Sequence, residues 1–213
     1  MTNIPPLKII LPIKTLIEKN VVYKLQTMKE FLNKIHSIDQ EILEEYISQW
    51  TEYNAPKKTI MTAPGETERY MYFVLDGIQK SYYLNEDKQH VIAFTYPPSF
   101  SGIPDSFLTQ TPSKYFLETV TDSSFLRVSF EKHQQLMQEH RQIETLFRKA
   151  TELFLIGMVQ RHYELMAFDI NQRFISFAQR SPHLFSLVTH KDLASYLRID
   201  STNFSKLFNT IRI

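Results

Sequence analysis

Near the C-terminus, Thr189, His190 and Lys191 open one short apolar-patterned stretch, and Ser201, Thr202, Asn203 and Lys206 stand along a second. Hydroxyls, an amide and an ammonium on one helix face can meet base edges and phosphates of duplex DNA. The free N–H groups at a helix start suit a phosphate clamp, which assigns that role to Thr189, His190 and Lys191. Such chemistry needs two short helices at a tight crossing. Thr189 can cap a helix over residues 191–197 with Leu193, Ala194 and Leu197 inward, Arg198-Ile199 turns the chain, and Asp200 caps a second helix through Phe204, Leu207, Phe208 and Ile211. A small residue at the crossing (Ala194), an apolar turn residue (Ile199) and an apolar residue five later (Phe204) are what a helix-turn-helix requires. A helical hairpin with a solvated polar face fits the same stretch.

Charge is divided along the chain. Residues 28–170 carry fourteen basic and twenty acidic side chains, whereas 171–213 carry Arg173, Arg180, Lys191, Arg198, Lys206 and Arg212 against Asp192 and Asp200. An acidic body with a basic C-terminal module points to nucleic acid for the module and something else for the body. Enzyme chemistry finds no support: there is no Gly-rich phosphate loop, no nucleophile elbow and no metal-spaced His/Asp cluster. His133 and His140, seven apart, match no metal spacing and read as solvated. With no cysteine, thiolate metal sites, disulfides and a cysteine nucleophile are excluded, and a reducing, cytoplasmic setting fits. Lys8, Lys14 and Lys19 with Pro5, Pro6 and Pro12 break the one apolar run near the start, so no membrane span or signal is expected there.

The rest of the chain reads as the support for that module. Ser37 with Gln40 forms a capping-box pattern for a helix over about 38–50, with Ile38, Ile42, Leu43, Tyr46, Ile47 and Trp50 on one face. Short β-rich segments follow at 59–62, 70–75, 79–84, 89–96, 115–119 and 124–130, bounded by Gly, Pro, Asn or Asp, which is the signature of a β-sandwich or roll. Helix returns at 131–138 and runs from 140 to 167, where Ile143, Phe147, Ala150, Phe154, Gly157, Arg161 and Leu165 recur by fours and threes. That spacing predicts a coiled-coil seam between two copies, with burial on the roll explaining part of it. Asp169 with Gln172 caps a further helix to about Gln179, gathering Phe174, Ile175 and Ala178 before Ser181-Pro182 ends it. The units are 1–27, a basic extension or an over-called start before Met28; 28–139, the roll; 140–168, the long helix; and 169–213, the basic module.

This order of parts resembles the Crp/Fnr family of bacterial transcription regulators over about residues 35–211. Pro64-Gly65, Tyr72-Phe73-Val74-Leu75-Asp76-Gly77 and Asp192-Leu193-Ala194-Ser195-Tyr196-Leu197 carry the likeness, and Gly65, Gly77 and Gly102 fall at matching roll positions. The resemblance implies an α+β fold: an N-terminal antiparallel β-roll of the cyclic-nucleotide-binding type (a double-stranded β-helix), a long dimerisation helix and a C-terminal helix-turn-helix domain. It implies a homodimer on near-palindromic double-stranded DNA, with RNA polymerase as a further partner and a small-molecule effector in the roll.

The family's effector cassette maps onto Phe100, Gly102, Ile103, Asp105, Ser113, Lys114 and Tyr115, and here the sequence departs from the pattern. Ile103 replaces the glutamate that holds a ribose hydroxyl, Pro104 follows it, and Ser113-Lys114 replaces the arginine and small neighbour that meet a cyclic phosphate. Isoleucine accepts no hydrogen bond, and lysine offers a point charge without the guanidinium fork. The expected effector is therefore not cAMP. Lack of cysteine excludes the oxygen-sensing branch, and His90, alone among seven histidines in a predicted strand, is a poor case for haem. No cofactor is identified. Arg198 occupies a turn position often held by Gly, Lys206 is the one long basic reader of the second helix, and the winged hairpin that follows in relatives has almost no room after Ile211. An effector-binding or dimerisation protein whose helix-turn-helix does not read DNA is the alternative.

Overall fold

The computed structural model describes residues 13–211. Its elements run α1 (Ile13–Ile35), α2 (Gln40–Ser48), β1 (Thr51–Ala55), β2 (Ile60–Thr62), β3 (Tyr70–Asp76), β4 (Gln79–Asn85), β5 (Lys88–Thr95), β6 (Ser99–Ser101), α3 (Pro104–Thr109), β7 (Phe116–Thr119), β8 (Ser123–Ser129), α4 (Phe130–Glu139), α5 (Arg141–Ala167), α6 (Ile170–Arg180), α7 (Leu184–Leu187), α8 (His190–Leu197) and α9 (Ser201–Thr210). The strands form two four-stranded antiparallel sheets, ordered β1-β8-β3-β6 and β2-β7-β4-β5.

Alternation along β3 and β8 sets the layers, because successive strand residues face opposite sides. Tyr72, Val74 and Phe125 point between the sheets, where they pack with Ala55, Ile103 and Leu117. Phe73, Leu126 and Val128 point the other way, into a core closed by Met28 and Leu32 of α1, Leu43, Tyr46 and Ile47 of α2, Leu136 of α4 and Ile143, Leu146 and Phe147 of α5. A third core joins α6–α9 to Ile78 and Val120 of the roll. At the β3–β4 turn Gly77 has φ +89, and a Cβ there would stand 2.3 Å from Ser123 Oγ, so the turn requires glycine.

The roll and the helices that follow it agree with the sequence reading, with differences that have local causes. β1 and β6 went unread: β1 exposes Thr51, Glu52 and Asn54, leaving too little apolar alternation to mark it. The helix expected from Ser37 begins instead after Asp39, whose backbone N–H and carboxylate are both taken by the Gln142 amide of α5 (2.8 and 2.6 Å), so no side chain caps α2. In α6 the reciprocal Asp169–Gln172 box forms as read, but Phe177 rather than Ile175 is buried. Thr189 caps α8 through Asp192 N, and Asp200 caps α9 through Asn203 N. Arg198 between them is left-handed at φ 55, a conformation that costs a non-glycine residue about 1 kcal/mol.

The boundary drawn at 27/28 falls inside α1, a continuous helix whose Leu25, Met28 and Leu32 pack on one core and whose Lys24 pairs with Glu52 at 2.6 Å. Residues 1–12 of the expected extension, and Arg212, lie outside the described residues. No helix among the described residues is long and apolar enough to cross a membrane.

His133, read as solvated, is 4% exposed, with Nδ1 2.9 Å from the buried Tyr46 hydroxyl. Burial lowers its pKa to about 4. The folded state thus binds fewer protons than the unfolded chain between that value and the ordinary histidine range near 6.5. Stability should be complete above about pH 6.5 and fall by roughly 3 kcal/mol as pH drops to about 4. Urea unfolding across this window should show the slope, and His133→Gln, which still offers Tyr46 an acceptor, should flatten it.

Candidate functional site

The residues picked from the sequence gather at the α3 end of the roll and on α8–α9. At the first place Gly102, with φ 146, lets the backbone pass close to Tyr70 O and the Glu68 carboxylate, 3.6 and 4.0 Å from where a Cβ would stand. Ile103 is fully buried among Tyr72, Val74, Leu117 and Phe125. Ser113 is buried and spends its hydroxyl on one neighbour, accepting from Tyr115 N and donating to Tyr115 O, each at 2.9 Å. Asp105 and Lys114 are exposed, and Tyr115 is half-buried against the roll interior. Phe100 does not join them. Its ring faces the helices, 5.5 Å from Phe31 and 5.6 Å from Phe147, so it is a core residue of the other layer.

Sequence reasoning missed two charged groups here. Glu68 is 2% exposed, and its carboxylate accepts from Thr62 Oγ1 at 2.7 Å and from the backbone N–H groups of Tyr70, Ile103 and Arg69. Burial pushes its carboxyl above the ordinary range, and these donors pull it back. In a polar run Glu66-Thr67-Glu68-Arg69, nothing marks the inward carboxylate. Arg127 lies between the Tyr53 and Tyr70 rings, 4.4 and 4.3 Å from their centroids, and its Nε is buried without a partner. Its place two residues after inward Phe125 was the available signal.

At the second place Ser201, Thr202 and Lys206 stand exposed along α9, and Lys191 is exposed at the start of α8. Thr189 is committed to its cap. His190 packs on α9, 4.2 Å from the Phe208 ring, while Asn203 gives its amide to Asp200 and is half-buried. The opposite side of α8 is docked on the chain's own roll. Asp192 and Lys80 are both buried and 3.1 Å apart, with Glu118 3.9 Å from the same ammonium. Ser195 Oγ accepts from Val91 N at 3.0 Å and donates to Gln89 O, and the Tyr96 and Ser181 hydroxyls meet at 2.6 Å. Burial and the carboxylates of Glu118 and Asp192 push the nearby Tyr82 hydroxyl well up.

The stripe read as a seam on α5 divides into three parts. Ile143 and Phe147 are buried in their own chain's core and Ala150 packs against it, so these three face no second copy. Arg161 stacks 4.0 Å over Tyr196 and donates to its carbonyl, tying α5 to α8, and Leu165 is half-buried. Phe154 and Gly157 are exposed. Residues 151–160 are exposed on every side, and Ile156, Val159, Tyr163 and Met166, spaced three, four and three, form an apolar stripe between 54% and 76% exposed. At α2 and α4, His140 pairs with Glu45 at 3.2 Å beside Glu139, an exposed group in which the two carboxylates are open to water.

Residues 53–140 match the family model of the cyclic nucleotide-binding domain. Among solved structures, FixK2 of Bradyrhizobium japonicum is similar with a TM-score of 0.64 at 18% identity, covering 75% of this chain and 83% of that one. The c-di-GMP-responsive global regulator CLP of Xanthomonas campestris gives 0.60 at 17%, covering 80% and 90%. The catabolite activator protein of Thermus thermophilus gives 0.52 at 14%, covering 82% and 84%. At these identities the likeness is one of fold: an antiparallel roll, a long helix and further helices. No curated protein matches by sequence.

Because the Ser113 hydroxyl is fully used inside the turn, Ser113→Ala should leave the Tyr115 N–H and carbonyl unpaired and cost about 1–3 kcal/mol. Denaturant unfolding measures this, and a loss under about 0.5 kcal/mol would mean that water replaces the hydroxyl.

Proposed function

We propose that the chain is a homodimeric, DNA-binding transcription regulator of the Crp/Fnr type, acting with RNA polymerase. The observation that carries this reading is the α8–α9 unit: two capped helices joined through a left-handed Arg198, one side docked on the roll and the other presenting Ser201, Thr202 and Lys206 to solvent. The basic balance of residues 171–213 supports a polyanionic partner. Similarity in fold to CLP, a c-di-GMP-responsive global regulator, is consistent with it. Lys206 is the main reader, with Ser201 and Thr202 beside it and Lys191 and the α8 N-terminus on the backbone; Asn203 and His190 act chiefly within the module.

The effector is not cAMP or cGMP. A cyclic nucleotide needs an acceptor for its ribose and a cation for its phosphate, whereas the α3 end offers a buried Ile103, a spent Ser113 hydroxyl and an exposed Lys114. Glu68 already holds the N–H groups of that corner.

The dimer forms through α5, on Ile156, Val159, Tyr163 and Met166. At about 3.6 residues per turn these lie across the helix from Arg161, which its own chain occupies. Val159→Glu should place two like charges in the seam and give monomer by light scattering. An unchanged dimer would return the seam to Phe154 and Gly157.

Mobility shift with the protein's own upstream region tests the central reading. Lys206→Ala should weaken binding by about 1–3 kcal/mol per half-site if the lysine meets a base. A phosphate contact should instead lower the salt slope by about one unit. If the wild type binds this DNA no better than random duplex, the module does not read sequence.

A further inference from the structure

We propose that Lys80, Asp192 and Glu118 form a releasable latch that holds the α8–α9 module against its own roll and lets the roll set the module's position. The cluster joins the two parts where both are buried, Lys80 at 7% exposure and Asp192 at 8%. Lys80 stands on β4, Glu118 directly opposite it on β7, and Asp192 in the first turn of α8. All three side chains are less than a fifth exposed.

One cation shared by two carboxylates gives the interface two resting states. With the module docked, the ammonium sits 3.1 Å from Asp192 and 3.9 Å from Glu118. When the module leaves, Glu118 remains beside Lys80 within the same sheet, so no lysine is left buried without a counter-charge. Asp192 then enters water at a helix N-terminus, where a carboxylate is favoured. Attraction between buried charges is largely offset by their desolvation, so such a pair fixes an orientation without making separation prohibitive.

The latch is also wired to the effector end of the roll. β7 begins directly after the turn that Ser113 ties to Tyr115, and Phe116 stacks on Tyr82 at 4.8 Å. A movement of that turn shifts Glu118 along its strand and changes which carboxylate the ammonium prefers. That this alters DNA binding rests on the function proposed above; the latch itself rests on the geometry of the isolated chain.

The Val91 amide reports docking directly, since on edge strand β5 it donates to Ser195 Oγ of α8. Hydrogen exchange is measured without DNA on the full chain. Asp192→Asn should speed exchange at Val91 by at least about tenfold, while amides of the β3–β8 ladder keep their protection. Glu118→Gln should slow it, because Lys80 then has Asp192 as its one charged partner. Equal loosening by both variants would make the cluster passive glue, and no change in either would mean that it holds nothing; both outcomes overturn the proposal. In the mobility-shift assay the two variants should move DNA affinity in opposite directions. Opposite exchange shifts with no DNA binding by any form would sink the function and leave the latch.

Discussion

In the sheet β1-β8-β3-β6 the central strands β3 and β8 bury apolar side chains on both faces, and most of the structure follows from that. Tyr72, Val74 and Phe125 require a second sheet, and Phe73, Leu126 and Val128 require a helical layer. The second sheet turns the strands into a roll, and the helical layer recruits α1, α2, α4 and the first turns of α5. A polar substitution on either face would weaken the layer packed on it, because burial of apolar area is what holds both in place. The long helix is therefore anchored by the same strands that enclose the roll interior. Phe100 of β6 links that sheet to α5, packing against both Phe73 and Phe147.

The second sheet has a different difficulty, an open edge. β5 ends the order β2-β7-β4-β5, and an unpaired edge invites association with other chains. Here α8 covers it, with Ser195 satisfying both Val91 N and Gln89 O while Phe94 packs on Tyr196. Covering the edge fixes the module from one side, and Arg161 on Tyr196 fixes it from the other. Helix α8 is thus held both by the roll edge and by the later turns of the long helix, and α9 takes its orientation from α8 through the Phe204 core.

Glu68 shows how one buried charge shapes a corner of the roll. Its four donors come from Thr62, the start of β3 with the residue before it, and the turn entering α3, so it holds three segments together beside Gly102. A second anion there would compete for the same N–H groups and face the carboxylate itself.

Segments whose pattern is local were legible in the sequence. The Asp169–Gln172 box, the Thr189 and Asp200 caps and most strands need only nearby residues, and they form as read. Glu68, Arg127 and the Lys80–Asp192 pair were not, because each depends on which chain segments meet across the fold. The α5 stripe lies between these cases. Periodicity fixes the interval between seam residues but not the face on which they lie, since a helix with apolar residues at 153–156, 158 and 159 carries a four-three repeat on more than one side. Choosing between them requires knowing which face the chain itself consumes. Burial of Ile143 and Phe147 at one end and stacking of Arg161 at the other consume the same face. The repeat running through Ile156, Val159, Tyr163 and Met166 is the one its own chain leaves uncovered, and only the tertiary structure could decide that.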